Sequence, residues 1–364
     1  MHLEWLTPDD SEGLRLWDEF LLNTPRGHYC QLSTWLRSFE AYRFTFTVLI
    51  ARRLPSCPIA GGVGVLQFGN ETLGLMTVPM GPILDIGCED LGQPLLEETL
   101  RHARSSGVFL LQLQFPCSVD ACSAALLETI PLPESTQAHA GLPFSTAHAP
   151  NQMLWIGFPR ESDGEVWDEQ MLRGFSTMTR RNIRLSQKQE LELREVVGES
   201  EMRQAYSIIE ANGRQQGYAT RSWDDFGPTL LDQVAKRQAI MLVARHCNMP
   251  VGAHYGVLAG GRYSYLLGGT VRDGGDLKIG HFLHWMAMRK ARELDLLGYD
   301  LTSGGSAGVM RFKMGFRPEH IAFVSPRYYV FSRWRFELFT RCYPWLRKHK
   351  LLVSRVLSLP ALSR

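Results

Sequence analysis

The residues best suited to chemistry lie in one segment, Tyr299–Phe316, which reads YDLTSGGSAGVMRFKMGF. A strand ends there, a glycine- and serine-rich loop follows, and Phe312 and Lys313 stand in a final Arg-Phe-Lys-x-Gly-Phe motif. A lysine ammonium can stabilise developing negative charge or bind a phosphate. A phenylalanine beside it can keep water away from a reactive ester. The competing interpretation is a surface lysine between two core aromatic residues.

A second candidate is a basic face within residues 171–195. Arg180, Arg181 and Arg184 are spaced by about one helical turn, so a helix here would carry them on one face. Such a face is either solvated surface or a binding site for a phosphate-bearing substrate.

A third candidate is the segment Arg272–Gly280, directly before a predicted helix. Its glycines allow close approach of the backbone, and Arg272 and Lys278 add positive charge. A phosphate group can bind at a helix N-terminus of this kind. A plain surface turn is the alternative.

Other catalytic signatures are missing from the sequence. Gly304-Gly305-Ser306 is no nucleophile elbow, and the sequence has neither a Walker loop nor His-Glu-x-x-His. The seven cysteines form no Cys-x-x-Cys pair, which predicts reduced thiols in a cytoplasm and no metal site. Structural roles are predicted for four histidines: His246, His254, His281 and His284. His254, on a predicted central strand, is the candidate exception.

The elements that position these residues occur twice. Val48–Arg52 and Met241–Arg245 are apolar strands ending in Ala-Arg, and each precedes a turn and a strand that opens with proline. A third strand follows, then an amphipathic helix over Gly92–Ser106 or Gly280–Leu297, then a glycine and a further strand. The register holds over about 55 residues, so the pattern indicates a structural duplication.

The order of elements predicts the fold. Three strands joined by short turns are antiparallel, and the helix crosses over to a parallel neighbour. In the second copy one helical face is predicted to pack on the sheet with Leu283, Ala287, Ala291 and Leu294. The predicted class is α/β with mixed sheets, as a tandem duplication of a GNAT-like acyltransferase domain. In that fold two central parallel strands diverge, and the gap receives a thioester or ester substrate.

Length and charge set the domain organisation. A chain of 364 residues suits two domains, and a net charge of +2 argues against wholesale binding of nucleic acid. The predicted domains are 1–155, completed by 325–340, then 156–324 with the cleft, and a basic helical tail over 341–364. Residues 327–364 carry nine Lys or Arg against one acid, Glu337. No secretory signal or membrane-spanning run is present, so we expect a cytoplasmic protein whose basic tail contacts the inner face of the membrane.

Several segments, in order along the chain, resemble the FemABX family, the non-ribosomal peptidyltransferases of peptidoglycan bridge formation. The Tyr299–Phe316 segment is similar to their Tyr-Asp-Phe-Gly-Gly loop with Phe-Lys-x-Gly-Phe. The other similar segments are an N-terminal Gln-Ser-x-x-Trp motif, a basic helix, an Arg-x-x-Gly-Tyr turn and an aromatic strand: Gln31–Trp35, Thr179–Arg184, Gly213–Tyr218 and Tyr263–Gly269.

The resemblance implies two GNAT-like units and a set of site residues. It implies Phe312 and Lys313 in the catalytic cavity, and it implies phosphate contacts from Arg214, Tyr218 and Tyr265. Four further residues are expected to bind substrate, two from the basic helix and two from the N-terminal motif: Arg181, Arg184, Trp35 and Arg37. Many members carry a lysine shortly after the tryptophan, and Arg37 is the residue that could stand in for it here.

The expected function is therefore an aminoacyltransferase. The resemblance implies transfer of an amino acid from aminoacyl-tRNA to an amine of a UDP-linked or lipid-linked muropeptide. Aminolysis of an ester needs no metal, and no resident cofactor is expected. One alternative is an N-acyltransferase that uses acyl-CoA on a polysaccharide or a small amine. Another is a non-catalytic module that binds membrane-bound glycolipid through the basic tail.

Overall fold

The structure, a computed structural model, describes residues 1–69, 74–116, 150–159, 164–217, 220–271 and 276–348. The chain divides into two compact units. The first unit combines Met1–Asn151 with Ala322–Arg364, and the second is Gln152–Ile321. The five cysteines within the described ranges form no disulfide.

The first unit is built on a seven-stranded mixed sheet in the order β1-β2-β3-β4-β6-β14, with β5 paired to β3. Its elements before the second unit are β1 (His2–Leu6), α1 (Ser11–Asn23), α2 (Ser33–Arg37), β2 (Phe44–Arg52), β3 (Ile59–Phe68), β4 (Leu75–Val78), β5 (Ile83–Leu84), α3 (Gly92–Ser105) and β6 (Leu110–Leu113). Strands β2, β3 and β4 are antiparallel, and α3 crosses over to β6, which is parallel to β4.

The chain returns to the first unit after the second is complete. Strand β14 (Arg327–Val330) pairs antiparallel with β6, from Arg327 opposite Leu113 to Val330 opposite Leu110. Helix α10 (Arg333–Lys348) follows it. The remainder of the basic tail, 349–364, lies outside the described residues.

The second unit repeats this plan in a seven-stranded sheet ordered β13-β7-β12-β11-β10-β9-β8. Its elements are β7 (Gln152–Gly157), α4 (Gly164–Gly174), α5 (Thr177–Ser186), β8 (Leu191–Glu195), α6 (Glu199–Gln216), α7 (Trp223–Ala235), β9 (Ala239–His246), β10 (Met249–Ala259), β11 (Arg262–Thr270), α8 (Ile279–Glu293), β12 (Gly298–Asp300), α9 (Ala307–Met314) and β13 (Glu319–Ala322). Strands β9, β10 and β11 are antiparallel, and α8 crosses over to β12, parallel to β11. The duplicated fold predicted from the sequence is confirmed.

Helix α8 differs from its prediction at the C-terminal end. It ends at Glu293, before the predicted Leu297, and Asp295 adopts a left-handed φ of 55° in the turn that follows. Leu283, Ala287 and Ala291 are buried as predicted, whereas Leu294 is 43% exposed. The helical period therefore identified the buried face but could not show where the turn would stop the helix.

The core of the second unit lies where α8 packs with α4 and α9 against the sheet. Trp167 and Trp285 are fully buried with their rings 5.8 Å apart, and Phe175 contacts both Trp285 and Phe316 edge-on. Burial of a large aromatic side chain contributes roughly 25 cal/mol per Å² of apolar surface. This cluster fixes α8 and α9, the two helices that carry the candidate site.

Close packing at one glycine gives a testable prediction. A Cβ on Gly256, at a bulge in β10, would lie 1.9 Å from the Tyr263 ring. We expect Gly256→Ala to lower the free energy of unfolding by about 3 kcal/mol, since the ring must move within a packed core. Urea denaturation would measure this change.

Gly174→Ala is the matched control, because nothing lies within 4 Å of a Cβ placed there. Gly174 ends helix α4, and we expect its replacement to be neutral or slightly stabilising. Equal effects of the two substitutions would contradict the packing argument.

Candidate active site

The site begins where the parallel strands β11 and β12 part. They pair over only three residues, Arg262–Ser264 opposite Gly298–Asp300. The Thr302 hydroxyl then donates to the main-chain oxygen of Tyr265 at 2.8 Å, and no further pairing of the two strands follows among the described residues. The remaining part of β11, from Tyr265 to Thr270, borders a cavity of about 790 Å³. The diverging strands expected of this fold are therefore present in the second copy.

Lys313 lies on the wall of this cavity and is almost fully buried, with 4% of the residue exposed. Helix α9 positions it, and the hydroxyl of Ser306 caps that helix by accepting from the Val309 amide. The ammonium group donates to the main-chain oxygens of Thr302 at 3.0 Å and Gly304 at 3.2 Å. An ammonium carries three N–H bonds, so within the described chain the third remains for a ligand.

Burial lowers the pKa of Lys313 to about 8, because desolvation disfavours the charged form, and the nearby Asp300 opposes that shift. The same desolvation raises the pKa of Asp300 to about 6. The Asp300 side chain accepts from the amides of Leu154 at 3.1 Å and Thr302 at 2.7 Å, which holds the start of the loop. Lys313 is thus a cation whose charge is sensitive to conditions near neutral pH.

Aromatic rings form the wall around the lysine. The Phe312 ring lies 4.8 Å from the His281 ring and 5.3 Å from the His284 ring, measured between centroids. The Tyr265 ring centroid is 5.5 Å from the Lys313 nitrogen. Phe312, Lys313 and Tyr265, which the resemblance implied together, all line the one cavity. Their catalytic and binding roles remain predictions.

The N-terminus of α8 forms another part of the cavity wall. Lys278 precedes the helix in a left-handed conformation, with φ of 58°, and its ammonium pairs with the Asp276 carboxylate. Gly280 also lines the cavity, and a Cβ there would meet only the edge of the Phe312 ring, at 3.6 Å. The first half of the predicted phosphate loop, 272–275, lies outside the described residues.

The basic helix faces a separate hollow. Arg180, Arg181 and Arg184 line a cavity of about 370 Å³ along α5. In the described chain none of these guanidinium groups forms an ion pair, so the hollow carries uncompensated positive charge. Another residue of α5, Asn182, lines the large cavity and lies 3.3 Å from the His281 ring nitrogen.

One predicted phosphate ligand, Arg214, is not among the residues that line the cavity. Arg214 is exposed on α6, whereas Asn212 and Gln216 of the same helix line the cavity. Tyr218 lies outside the described residues.

Trp35 and Arg37 lie in the first unit, on α2. The Arg37 guanidinium stacks 5.3 Å from the Phe46 ring and donates to the main-chain oxygen of Pro8 at 2.7 Å. Gln31 of that motif is fully buried, and its side-chain amide donates to the main-chain oxygen of Pro79 at 2.6 Å. Arg37 and Gln31 make these contacts within the first unit. Both residues therefore have a structural role in that unit.

A buried network of polar side chains was missed by the sequence analysis. The Tyr299 hydroxyl lies 2.7 Å from His254 Nε2 and 2.7 Å from His284 Nδ1. All three side chains are buried, and His284 also lines the cavity. The sequence shows that His254 and His284 stand in apolar runs, one on a strand and one on a helix. Nothing in the sequence, however, pairs either histidine with Tyr299.

Comparisons with known proteins agree with this architecture. Residues 173–314 match the family model described as an acetyltransferase (GNAT) domain. The crystal structure of FemX superposes with a TM-score of 0.74 at 12% identity, covering 94% of this chain and 99% of FemX. The structure of L-PGS from Bacillus licheniformis gives a TM-score of 0.55 at 11% identity, covering 98% and 99%. No curated protein sequence matches the chain.

The matched residues 173–314 lie within the second unit, so this unit contains the GNAT-type acetyltransferase domain. The likeness to FemX extends over nearly the whole of both chains, so the two share the tandem fold. The resemblance to the FemABX family inferred from the motifs is confirmed at the level of the fold.

The lowered pKa of Lys313 can be measured directly. We expect the amine to lose its proton near pH 8 in the folded protein, against 10.5 for an ordinary lysine. A pH titration of ¹³C-labelled lysine by NMR would show this transition, and the Lys313→Arg variant would assign it by its disappearance. A Lys313 midpoint above pH 10 would contradict the assignment.

The lowered pKa of Lys313 also predicts how the free energy of unfolding changes with pH. Between pH 8 and 10.5 the unfolded chain binds the Lys313 proton more tightly than the folded one. The free energy of unfolding therefore gains a contribution from Lys313 that increases with pH across this window.

Proposed function

We propose that the protein is a non-ribosomal aminoacyltransferase that moves an amino acid from aminoacyl-tRNA to an amine of a peptidoglycan precursor. The observation that carries the proposal is Lys313, buried on the wall of the cavity that opens between β11 and β12. An exposed lysine without a hollow beside it would have removed the basis for this chemistry. Members of the family that the chain resembles catalyse this transfer.

The reaction needs little from the protein beyond position and charge. The amine attacks the ester carbon, the carbonyl oxygen becomes negative, and the alcohol leaves with a proton. The third N–H of Lys313 can donate to that oxygen from a low-dielectric wall, where such a bond is strongest. Phe312 supplies an apolar surface that limits hydrolysis of the ester.

Charge supports a nucleic-acid or phosphate-bearing substrate. Arg180, Arg181 and Arg184 line their hollow without carboxylate partners in the described residues. Guanidinium groups bind phosphate oxygens in a bidentate manner, so this helix face suits the acceptor end of a tRNA or the diphosphate of a cell-wall precursor.

A second candidate is an N-acyltransferase that uses acyl-CoA. The observation that favours it is the N-terminus of α8, where Lys278, Ile279 and Gly280 border the large cavity and no side chain caps the helix. A pyrophosphate could bind these amide groups. The acceptor would then be a polysaccharide or a small amine. A non-catalytic glycolipid-binding module, the third possibility, would be favoured by a closed cleft, and this cleft is open.

Transfer assays decide between the two donors. Purified protein would be incubated with pooled aminoacyl-tRNAs and UDP-linked or lipid-linked muropeptides, and in parallel with acyl-CoA thioesters and amines. We expect Lys313→Met to lower kcat by roughly 10²-fold with aminoacyl-tRNA, the usual effect of removing one oxyanion donor. The exposed Lys236→Met, which loses only an ion pair with Asp232, is the matched control.

Three outcomes would count against the proposal. Transfer from acyl-CoA alone would establish the second candidate instead. Full activity of a folded Lys313→Met variant would remove the lysine from the mechanism. An equal loss of activity in Lys236→Met would show that the effect is not specific to the cavity.

A further inference from the structure

The cavity contains a titratable side chain that the proposed mechanism has not used. His284, on α8, lines the cavity beside Phe312 and Lys313. Its ring lies 4.6 Å from the Tyr265 ring, between centroids, and only 5% of the residue is exposed. An aminoacyl or acyl transfer releases a proton from the attacking amine, and Lys313, being already an ammonium, cannot take it.

A chain of hydrogen bonds runs from His284 into the core. His284 Nδ1 contacts the Tyr299 hydroxyl at 2.7 Å, and that hydroxyl contacts His254 Nε2 at the same distance. His254 Nδ1 lies 3.3 Å from the Tyr263 hydroxyl. In the described part of the chain, His284 Nε2 has no hydrogen-bond partner.

One arrangement of protons in this network leaves His284 Nε2 bare. In it His254 Nδ1 donates to the Tyr263 hydroxyl, which lies 3.3 Å away. A neutral His254 then has a bare Nε2, which accepts from the Tyr299 hydroxyl. A phenol has only one hydrogen, so the Tyr299 oxygen must accept from His284 Nδ1. A neutral His284 is left with its lone pair on Nε2.

Both histidines are held in the neutral form. Burial lowers the pKa of His254 to about 3, and it lowers the pKa of His284 well below its usual value. The groups that face His284 are His254 on β10, Tyr265 on β11, Tyr299 on β12, Lys313 on α9 and His281 on its own helix. None of these groups is a carboxylate, so nothing among them favours an imidazolium in the resting site.

We infer that His284 Nε2 accepts the proton of the attacking amine, and that Tyr299 and His254 are positioning residues that hold its lone pair in place. The inference rests on the proposed transfer. As the amine N–C bond forms, one N–H proton passes to Nε2. As the ester C–O bond breaks, its electron pair stays on the leaving oxygen, and the same proton passes from Nε2 to that oxygen. The products are an amide and a neutral alcohol, and His284 returns to its starting state.

The tautomer can be tested without any substrate. We expect ¹⁵N NMR of histidine-labelled protein to show the His284 proton on Nδ1 and a bare Nε2, assigned by its loss in His284→Gln. In Tyr299→Phe, which lacks the phenol oxygen, we expect a mixture of both tautomers. A proton on Nε2 in the wild-type protein would overturn the inference, whatever the enzyme transfers.

The kinetic test separates this inference from the proposed function. We expect His284→Gln to lower kcat by roughly 10²-fold or more, with the KM of each substrate nearly unchanged. Tyr299→Phe should lower kcat less. His320→Gln, an exposed histidine on β13 away from the cavity, is the matched control.

Activity of the wild-type protein distinguishes the two failures. An active wild type with a fully active His284→Gln variant would overturn the role of His284 and leave the proposed function intact. A wild type that transfers from neither aminoacyl-tRNA nor acyl-CoA would overturn the proposed function, and with it the role of His284.

A separate observation concerns helix α10 of the first unit. One face packs inward, where Phe336 is buried and the Phe339 ring lies 5.5 Å from the Phe109 ring. The opposite face carries Trp334, Leu338 and Trp345, which are 63%, 49% and 59% exposed. The spacing of these three residues puts them on one stripe of the helix.

The charge on this stripe indicates what covers it. Arg341 falls between Leu338 and Trp345 on the same stripe, and Arg333 is exposed at the start of the helix. From 327 to 364 the sequence has a single acidic residue. Tryptophan and arginine on one helix face suit the headgroup region of an anionic membrane, which accepts apolar rings and attracts the cations. No helix in the described ranges is long and apolar enough to cross a membrane.

We propose that this outer face of α10 binds the surface of an anionic lipid bilayer. Sedimentation with phosphatidylcholine vesicles, with and without 30 mol% (roughly a third) phosphatidylglycerol, would test this. We expect binding only to the anionic vesicles, reduced at least 10-fold (about 1.4 kcal/mol) by Trp334→Ala with Trp345→Ala. Leu54→Ala with Ile86→Ala, exposed apolar residues elsewhere in the first unit, is the control and should bind normally.

Two results would overturn the membrane proposal. One is wild-type protein that fails to bind anionic vesicles. The other is a tryptophan-dependent interaction with tRNA and none with vesicles, which would assign the same face to nucleic acid.

Discussion

The candidate active site depends on which groups hydrogen-bond to the main chain where β11 and β12 part. Once their ladder ends at Asp300, buried carbonyl groups need new partners, because an unpaired one is costly. The Thr302 hydroxyl bonds the Tyr265 oxygen, and the Lys313 ammonium bonds the oxygens of Thr302 and Gly304. Of these two side chains, that of Lys313 also lines the cavity. The same lysine thus completes main-chain hydrogen bonding and lines the cavity, which explains how a lysine comes to be buried there.

The first copy closes the corresponding gap. After β6 ends, the Gln114 amide donates to the Val78 oxygen at 3.0 Å, and the Gly81 amide donates to the Gln114 oxygen at 2.8 Å. Main-chain pairing thus continues past the point at which the second copy opens. The Gln31 side chain fills a neighbouring position with its amide bonded to main-chain oxygens. Duplication has given one unit with a continuous sheet and one with a cleft.

Desolvation around the cleft shifts the pKa values of its titratable groups. Lys313, His284 and His254 are each pushed toward the neutral form by desolvation, and Asp300 is pushed toward its protonated form. A charge that develops there during a reaction meets few mobile dipoles, so fixed donors act strongly on it. The Tyr299 hydroxyl links two of these groups across α8, β10 and β12. Apart from His284 Nε2, which has no partner among the described residues, the ring nitrogens and hydroxyls of the network bond one another, which makes its geometry well defined.

The sequence by itself determined the repeat, the strand directions and the segment that carries Phe312 and Lys313, because these follow from local periodicity and short-range motifs. It did not show that Leu294 would be exposed, that Arg37 would be held by Pro8 and Phe46, or that Arg214 would lie off the cavity. Only the tertiary structure decided the network of His254, Tyr299 and His284. These residues are far apart in the chain, and the register of β11 with β12 and the packing of α8 bring them together. Such long-range pairing leaves no pattern in neighbouring residues.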